Sequence, residues 1–200
     1  MDAAEQFAEA YVKQRDLRTE RFLKAEMRLK KTPDFRVLKE GELVTYCEAK
    51  HVQQDTWPDD LLETVQPLEV VGGPRPDPIF NRLTAHIHTA HKQFIAVNPN
   101  HDLPNVLVFA NSDKQCTYKG DLLAVLTGNF YGDHGEVEHI FGQFSDGRIK
   151  FEKMTIDAYV WWNCWKEGLK PSLWFWRDTQ HYKTVSLLLG SDPAAHGSPG

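Results

Sequence analysis

Hydrophobic positions near the N-terminus recur every three to four residues. Because this spacing aligns them on one side of a helix, we expect residues 2–15 to be helical. The next segment, residues 16–31, is rich in Arg, Lys and Glu, and its pattern fits either a short strand near residues 17–22 or a helix that continues to about Leu29. Pro33 ends any such helix, since a proline biases the residue before it towards extended geometry.

Alternating apolar and polar residues then predict two strands, at about residues 34–39 and 42–50, joined by a turn around Gly41. A hairpin folded about Gly41 places Asp34 within about a residue of lying opposite Glu48. Successive side chains of a strand point to opposite faces of its sheet. On the second strand, one face carries Leu43, Thr45, Cys47 and Ala49, and the other carries Val44, Tyr46, Glu48 and Lys50.

Helical spacing returns over residues 78–95, and an almost continuously apolar run follows at residues 105–110. A strand of that composition is typically covered on both faces of a sheet. Strand, long helix and buried strand together indicate a crossover unit with parallel pairing. The intervening residues 51–77 are polar and rich in Pro and Gly, with a helix start at residues 57–60 and a loop at residues 72–74.

The C-terminal half contains weaker patterns. Residues 120–130 predict a short helix, and residues 131–147 mix turns with a short apolar run. Two aromatic stretches, residues 156–165 and 172–177, are typical of strands. Residues 191–200 lack core-forming side chains, and we expect a disordered tail there.

Length and composition indicate one globular domain over residues 1–190. No apolar run approaches the roughly 20 residues that span a bilayer, and the acidic N-terminus has no signal-peptide pattern. We therefore expect a cytoplasmic protein without a membrane partner. The cysteines, Cys47, Cys116 and Cys164, are odd in number and widely spaced, which favours buried reduced thiols over disulfides or a zinc site.

The net charge of −5 argues against a domain that only binds nucleic-acid phosphates, because such domains usually carry an excess of basic residues. A metal-dependent enzyme is compatible with this charge, since some of its acidic side chains hold cations. Charge therefore weakens a pure nucleic-acid-binding role more than a nuclease role.

The hairpin brings together groups that can hydrolyse a phosphodiester. Asp34 and Glu48 offer the hard oxygen ligands that magnesium prefers, and the backbone carbonyl of Ala49 can add a third. Lys50 lies two residues from Glu48 on the same face. Its ammonium group can orient the attacking water or neutralise charge in the transition state.

These residues resemble a known signature. Pro33-Asp34, thirteen intervening residues and then Glu48-Ala49-Lys50 are similar to the motif of the PD-(D/E)XK nuclease superfamily. The resemblance implies a restriction-endonuclease-like α/β fold, with a mixed central sheet flanked by helices. It implies that Asp34 and Glu48 hold Mg²⁺, or Mn²⁺ in its place, and that Lys50 assists catalysis. The substrate would be nucleic acid, DNA rather than RNA. The likeness covers roughly residues 1–111.

The resemblance also extends to less specific positions. Many members place a glutamate of the first helix on the metal, and Glu9 is our choice over Glu5. Gln53 and Gln93 are loose counterparts of polar residues near the signature. Many members act as dimers, which leaves a homodimer open.

Two alternatives to an active nuclease stay open. The first is a surface hairpin with a cross-strand charge cluster. Two carboxylates opposite each other would then destabilise the sheet, which favours a cation between them. The second is a catalytically silent member of the same fold that binds nucleic acid or a protein partner. Glu48-Ala49-Lys50 is, however, the only acid-x-Lys triplet in the chain.

Other candidate sites have weaker patterns. His86, His88 and His91 do not show the spacing of four that aligns a zinc pair on a helix, so we expect solvated or packed imidazoles. Residues 133–139 mix acids with histidines, and we interpret them as a polar turn and an edge strand. Arg28-Leu29-Lys30-Lys31 fits phosphate contact and an ordinary solvated charge run equally well.

Overall fold

A six-stranded mixed sheet forms the centre of the protein. The structure, a computed structural model, describes residues 2–54, 66, 79–131, 136–139, 148–165 and 170–190. The strands of the sheet are β1 (Arg18–Arg21), β2 (Phe35–Lys39), β3 (Glu42–Val52), β4 (Asn105–Asn111), β7 (Ala158–Asn163) and β8 (Ser172–Phe175). Their spatial order is β1-β2-β3-β4-β7-β8. Two short strands, β5 (Asn129–Tyr131) and β6 (Val137–His139), form a separate antiparallel pair.

Helices cover both faces of the central sheet. They are α1 (Ala3–Lys13), α2 (Lys24–Leu29), α3 (Ile79–Val97), α4 (Leu123–Thr127) and α5 (Tyr182–Leu189), with a π-helical turn at Tyr118–Leu122 and a 3₁₀ turn at Glu152–Met154. The expected α/β architecture, a mixed sheet flanked by helices, is therefore confirmed. Within the part of the chain that the structure describes, no helix combines the length and hydrophobicity needed to cross a membrane.

The central crossover unit is confirmed. Strand β3 runs antiparallel to β2 and parallel to β4, and α3 lies between β3 and β4 in the chain. Helix α3 buries Leu83, Ile87, Ala90 and Phe94 at helical spacing against the sheet. Burial of each large apolar side chain contributes roughly 1.5–3 kcal/mol, so this helix is firmly fixed beside β3.

Strand β4 is covered on both faces, as its apolar run predicts. Val106 and Val108 face a core that α1 and α5 close. Leu107 and Phe109 face a second core that α3 and α4 close. Parallel strands in the middle of a sheet need this cover on both sides.

The N-terminal segment contains both structures that its pattern left open. Asp2 and Glu5 form a capping box at the start of α1. Residues 16–31 then form β1, which pairs antiparallel with β2, followed by α2. Three of the four residues of β1 are charged, as suits an edge strand, and no residue of α2 is buried.

One predicted side-chain direction is wrong. Val44 packs against the core on the Cys47 face of β3, not on the Glu48 face. The cause is a bulge: Val37 pairs with Thr45 but Leu38 pairs with Leu43, so Val44 is an extra residue between two pairs. An inserted residue interrupts the period of two. The alternation from Thr45 onwards is unaffected.

The three cysteines form no disulfide. Cys47 and Cys116 are buried, and Cys164 is partly buried. The short helix expected at residues 120–130 is present but ends at Thr127, because Gly128 takes a left-handed conformation, and Asn129 and Phe130 belong to β5. The two aromatic stretches contain β7 and β8, as expected. The predicted helix start at residues 57–60, the loop at residues 72–74 and the tail at residues 191–200 lie outside the described residues.

Candidate active site

The pairing of β2 with β3 positions the two acids of the signature. Phe35 pairs with Cys47, so Asp34, one residue before Phe35, lies opposite Glu48, one residue after Cys47. The sequence predicts this register to within one residue, and the bulge at Val44 determines that Asp34 faces Glu48 and not Cys47. Strand β3 extends beyond the first residue of β2, and on its other side it pairs with β4 from Tyr46 to Val52. Asp34 therefore stands where β2 begins, beside the central part of β3.

Reciprocal hydrogen bonds hold the two carboxylates. The backbone N–H of Asp34 donates to Oε2 of Glu48 across 2.9 Å, and the backbone N–H of Ala49 donates to Oδ2 of Asp34 across 2.8 Å. Each acid is thus fixed by a backbone donor on the other strand. Such bonds to a charged acceptor are stronger than neutral ones. The positions of both carboxylates follow from the strand pairing itself.

Burial raises the pKa of both acids. Glu48 is 1% exposed. This burial and then the neighbouring charge of Asp34 raise the pKa of Glu48 to about 7, although Lys50 opposes the rise. Burial also raises the pKa of Asp34, against hydrogen bonds from Ala49 and Glu48 that lower it. A cation beside both carboxyls would stabilise their charged forms.

Lys50 and Gln93 complete the cluster. The ammonium group of Lys50 pairs with Oε1 of Glu48 and donates to Oε1 of Gln93 at 3.4 Å. Gln93, on α3, donates from Nε2 to the backbone carbonyl of Thr32 at 2.8 Å. Gln93 therefore links the crossover helix to Lys50 and to the segment that leads into Asp34. The sequence offered Gln93 only as a loose counterpart.

The available ligands fit a hard divalent cation. Asp34 and Glu48 supply carboxylate oxygens, and the hydrogen bond from Ala49 to Asp34 brings the Ala49 backbone beside them. No group of three or more His, Cys, Asp or Glu side chains suited to a metal occurs within the described residues. Magnesium commonly binds through one or two carboxylates and keeps several waters. The set of ligands therefore suits magnesium better than zinc, which prefers nitrogen and sulfur.

The structure distinguishes Glu5 from Glu9. Glu9 pairs with Lys13 at 3.0 Å and accepts from Oγ1 of Thr19 at 3.3 Å. The charge of Glu5, in contrast, contributes to the raised pKa of Asp34. Glu9 as an extra metal ligand stays a prediction, and Glu5 is the helix glutamate whose charge acts on the site.

Arg21 is a cation near the site that the sequence patterns did not single out. Its guanidinium binds Oε2 of Glu5 at 2.9 Å and lies 5.0 Å from the ring centroid of Phe35. Asp34 and Glu9 also act on its charge. The signal was available in part, because a strand near residues 17–22 that pairs with β2 brings Arg21 opposite Phe35.

The other candidates lie in different environments. His88 pairs with Glu152, and the ring of His86 lies 6.3 Å from that of Phe109, centroid to centroid. Burial lowers the pKa of His91. Val137–His139 form strand β6 against β5, as expected of an edge strand, whereas residues 133–135 lie outside the described part.

Comparison with known proteins leaves the site to be judged on its geometry. No known family model, no curated protein and no solved structure matches the chain.

Proposed function

We propose that this protein is a magnesium-dependent nuclease that hydrolyses phosphodiester bonds of nucleic acid. One observation carries the proposal: reciprocal backbone hydrogen bonds hold Asp34 and Glu48 on neighbouring strands, and Lys50 pairs with Glu48. The preference for DNA over RNA rests on the resemblance of the signature to the PD-(D/E)XK nucleases.

The proposed metal-binding residues are Asp34, Glu48 and the backbone carbonyl of Ala49. When bound there, Mg²⁺ supplies Lewis-acid polarisation of the phosphate and a water of lowered pKa. The two carboxylates are already aligned by backbone donors, so binding requires little rearrangement of the chain. Their mutual repulsion in a buried setting favours a cation between them, because opposite charge lowers the pKa of both acids.

Lys50 is the proposed charge-stabilising group. An ammonium group has three donors, and Glu48 and Gln93 accept from two of them. The third can donate to the attacking water or to a phosphate oxygen, where extra negative charge develops during displacement at phosphorus. Removal of one such donor typically costs about 10²–10³ in kcat.

Cleavage assays test this proposal. Supercoiled plasmid, labelled DNA and labelled RNA are incubated with purified protein in Mg²⁺, in Mn²⁺ and in EDTA. We expect DNA cleavage in either metal and none in EDTA. Asp34→Asn and Lys50→Ala should each lower the rate at least about 100-fold. The matched controls Asp178→Asn and Lys183→Ala, which change exposed residues near the C-terminal helix α5, should not.

Two results would contradict the proposal. A purified activity that neither EDTA nor the Asp34 and Lys50 substitutions reduce would assign cleavage to another site or to a contaminant. Binding of DNA without cleavage in both metals would instead favour the catalytically silent alternative.

A further inference from the structure

An ion pair links helix α2 to the sheet. Glu26 pairs with the guanidinium of Arg36 on β2, and it also accepts from the backbone N–H of Leu23 at 2.8 Å. The guanidinium carbon of Arg36 in turn lies 3.9 Å from the centroid of the Phe22 ring. Glu26 thus both caps α2 and fixes its inner side.

The rest of α2 exposes large apolar side chains to solvent. Leu23 is 69% exposed, Met27 is 59% exposed and Leu29 is 86% exposed. A single exposed leucine is ordinary on a protein surface. Leu23 and Met27 lie four residues apart, which places them on the same side of α2. Together they form a local apolar surface, which is a feature of interaction sites.

Basic residues surround these apolar side chains. Lys24, Arg28, Lys30 and Lys31 are all exposed, and the one acid among residues 23–31, Glu26, is occupied by Arg36. None of the ion pairs among the described residues involves Lys24, Arg28 or Lys31. The chain as a whole carries −5, so this concentration of positive charge runs against its general balance. We call residues 23–31 the α2 surface.

The α2 surface adjoins the candidate active site. It ends at Lys31, three residues before Asp34. The next residue, Thr32, accepts a hydrogen bond from Gln93, which also contacts Lys50. A polyanion bound at Asp34 and Glu48 would therefore pass within reach of α2.

We infer that the α2 surface binds the minor groove of a nucleic-acid duplex beside the cleavage site. This inference rests on the proposed nuclease function, which supplies the substrate. The basic side chains neutralise backbone phosphates. Leu23 and Met27, on one side of α2, act as wedges against a base step, as apolar residues do in minor-groove proteins. The surface has no aromatic side chain, so it lacks the stacking platform on which single strands are bound.

Duplex binding in EDTA tests this inference without any need for cleavage. Fluorescence anisotropy with matched duplex and single-stranded DNA gives the two affinities. The double variant Leu23→Ala/Met27→Ala should lower duplex affinity at least about tenfold and single-strand affinity much less. Leu187→Ala is the matched control, because Leu187 is 87% exposed on α5 and belongs to no basic cluster. Thermal unfolding confirms that the fold is retained.

Salt dependence tests the basic side chains of the α2 surface, and base unstacking tests its apolar side chains. Each phosphate that a protein neutralises adds about −0.9 to the slope of log affinity against log salt. Lys30→Gln/Lys31→Gln should therefore make this slope less negative by about 1.8, and Lys183→Gln on α5 should leave it unchanged. A 2-aminopurine reporter placed along the duplex should brighten on binding the natural chain and not the Leu23→Ala/Met27→Ala chain.

Several outcomes would overturn the inference. These are unchanged duplex affinity in both α2 variants, equal reductions for duplex and single strand, or a dimer in sedimentation that the apolar substitutions dissociate. Binding to phosphatidylserine vesicles that the same substitutions abolish, with duplex affinity intact, would assign α2 to a membrane surface. Duplex binding through α2 by a natural chain that cleaves no DNA would count against the nuclease proposal and not against the α2 inference.

Discussion

The backbone N–H of Asp34 donates to Oε2 of Glu48 across 2.9 Å, so the two acids are linked by a hydrogen bond that needs no cation. With the return bond from Ala49 to Asp34, this link replaces the ordinary pairing of β2 with β3 at the point where β2 begins. The arrangement is formed before any ligand arrives. The energetic cost of this arrangement is the raised pKa of each acid. A bound cation would lower both pKa values.

Magnesium should stabilise the folded protein. A ligand at ten times its Kd adds about 1.4 kcal/mol to the free energy of unfolding, which raises the Tm of a chain of this size by about 3–6 °C. We expect this rise in calorimetry at pH 8 for the natural chain. Asp34→Asn and Glu48→Gln should each remove most of it, because each deletes a proposed ligand. An equal rise in Asp34→Asn would place the ion elsewhere.

The same measurement decides between the two helix glutamates. Glu5→Gln should reduce the magnesium-induced rise in Tm, since the charge of Glu5 acts on Asp34. Glu9→Gln should leave the rise unchanged, because Glu9 is engaged by Lys13 and Thr19. Glutamine still completes a capping box, so the first substitution preserves α1. The reverse result would support Glu9 as the extra ligand.

Glu48 should make stability depend on pH in the absence of metal. Its folded pKa of about 7 exceeds the ordinary value of 4.5. Between these values the folded chain holds a proton that the unfolded chain has lost, so the free energy of unfolding falls as pH rises. The stabilising contribution is complete below about pH 4.5 and lost above about pH 7. Its size is at most about 3 kcal/mol.

Urea unfolding in EDTA between about pH 5 and pH 8 measures this contribution. The free energy of unfolding of the natural chain, relative to Glu48→Gln, should fall across that range. Glu138→Gln is the control, since Glu138 is an exposed acid on β6. A difference between the natural chain and Glu48→Gln that stays constant with pH would show that Glu48 does not titrate in this window.

Much of the site follows from local rules. The turn at Gly41 places Asp34 within one residue of lying opposite Glu48, because antiparallel register is determined by where the chain reverses. The bulge at Val44 supplies the last residue of that register. Strand, long helix and buried strand suffice for the crossover unit. Both inferences use residues that are close in the chain or periodic along it.

The features that escaped prediction depend on interactions between distant segments. The bulge at Val44 is an inserted residue whose position only the pairing with Leu38 and Val37 reveals. Arg21 approaches Asp34 because β1 folds back onto β2, and Gln93 reaches Lys50 because α3 packs beside β3. A single sequence gives the identity of such residues but not which of several neighbours they contact.

Gln93 should act as a positioning residue for Lys50. Gln93→Ala removes the acceptor for Lys50 and the donor to the Thr32 carbonyl. We expect kcat to fall roughly tenfold, which corresponds to about 1.4 kcal/mol, a typical contribution of one hydrogen bond. KM should stay nearly unchanged. Gln93→Glu keeps the acceptor but adds a negative charge near Glu48, which should raise the pKa of Glu48 and shift the acid limb of the pH–rate profile upwards. Gln115→Ala, at an exposed position, should change neither quantity. If Gln93 had only a structural role, Gln93→Ala would lower stability, and Gln93→Glu would leave the acid limb of the pH–rate profile in place. An unmoved acid limb in Gln93→Glu would therefore contradict the role of Gln93 as a positioning residue.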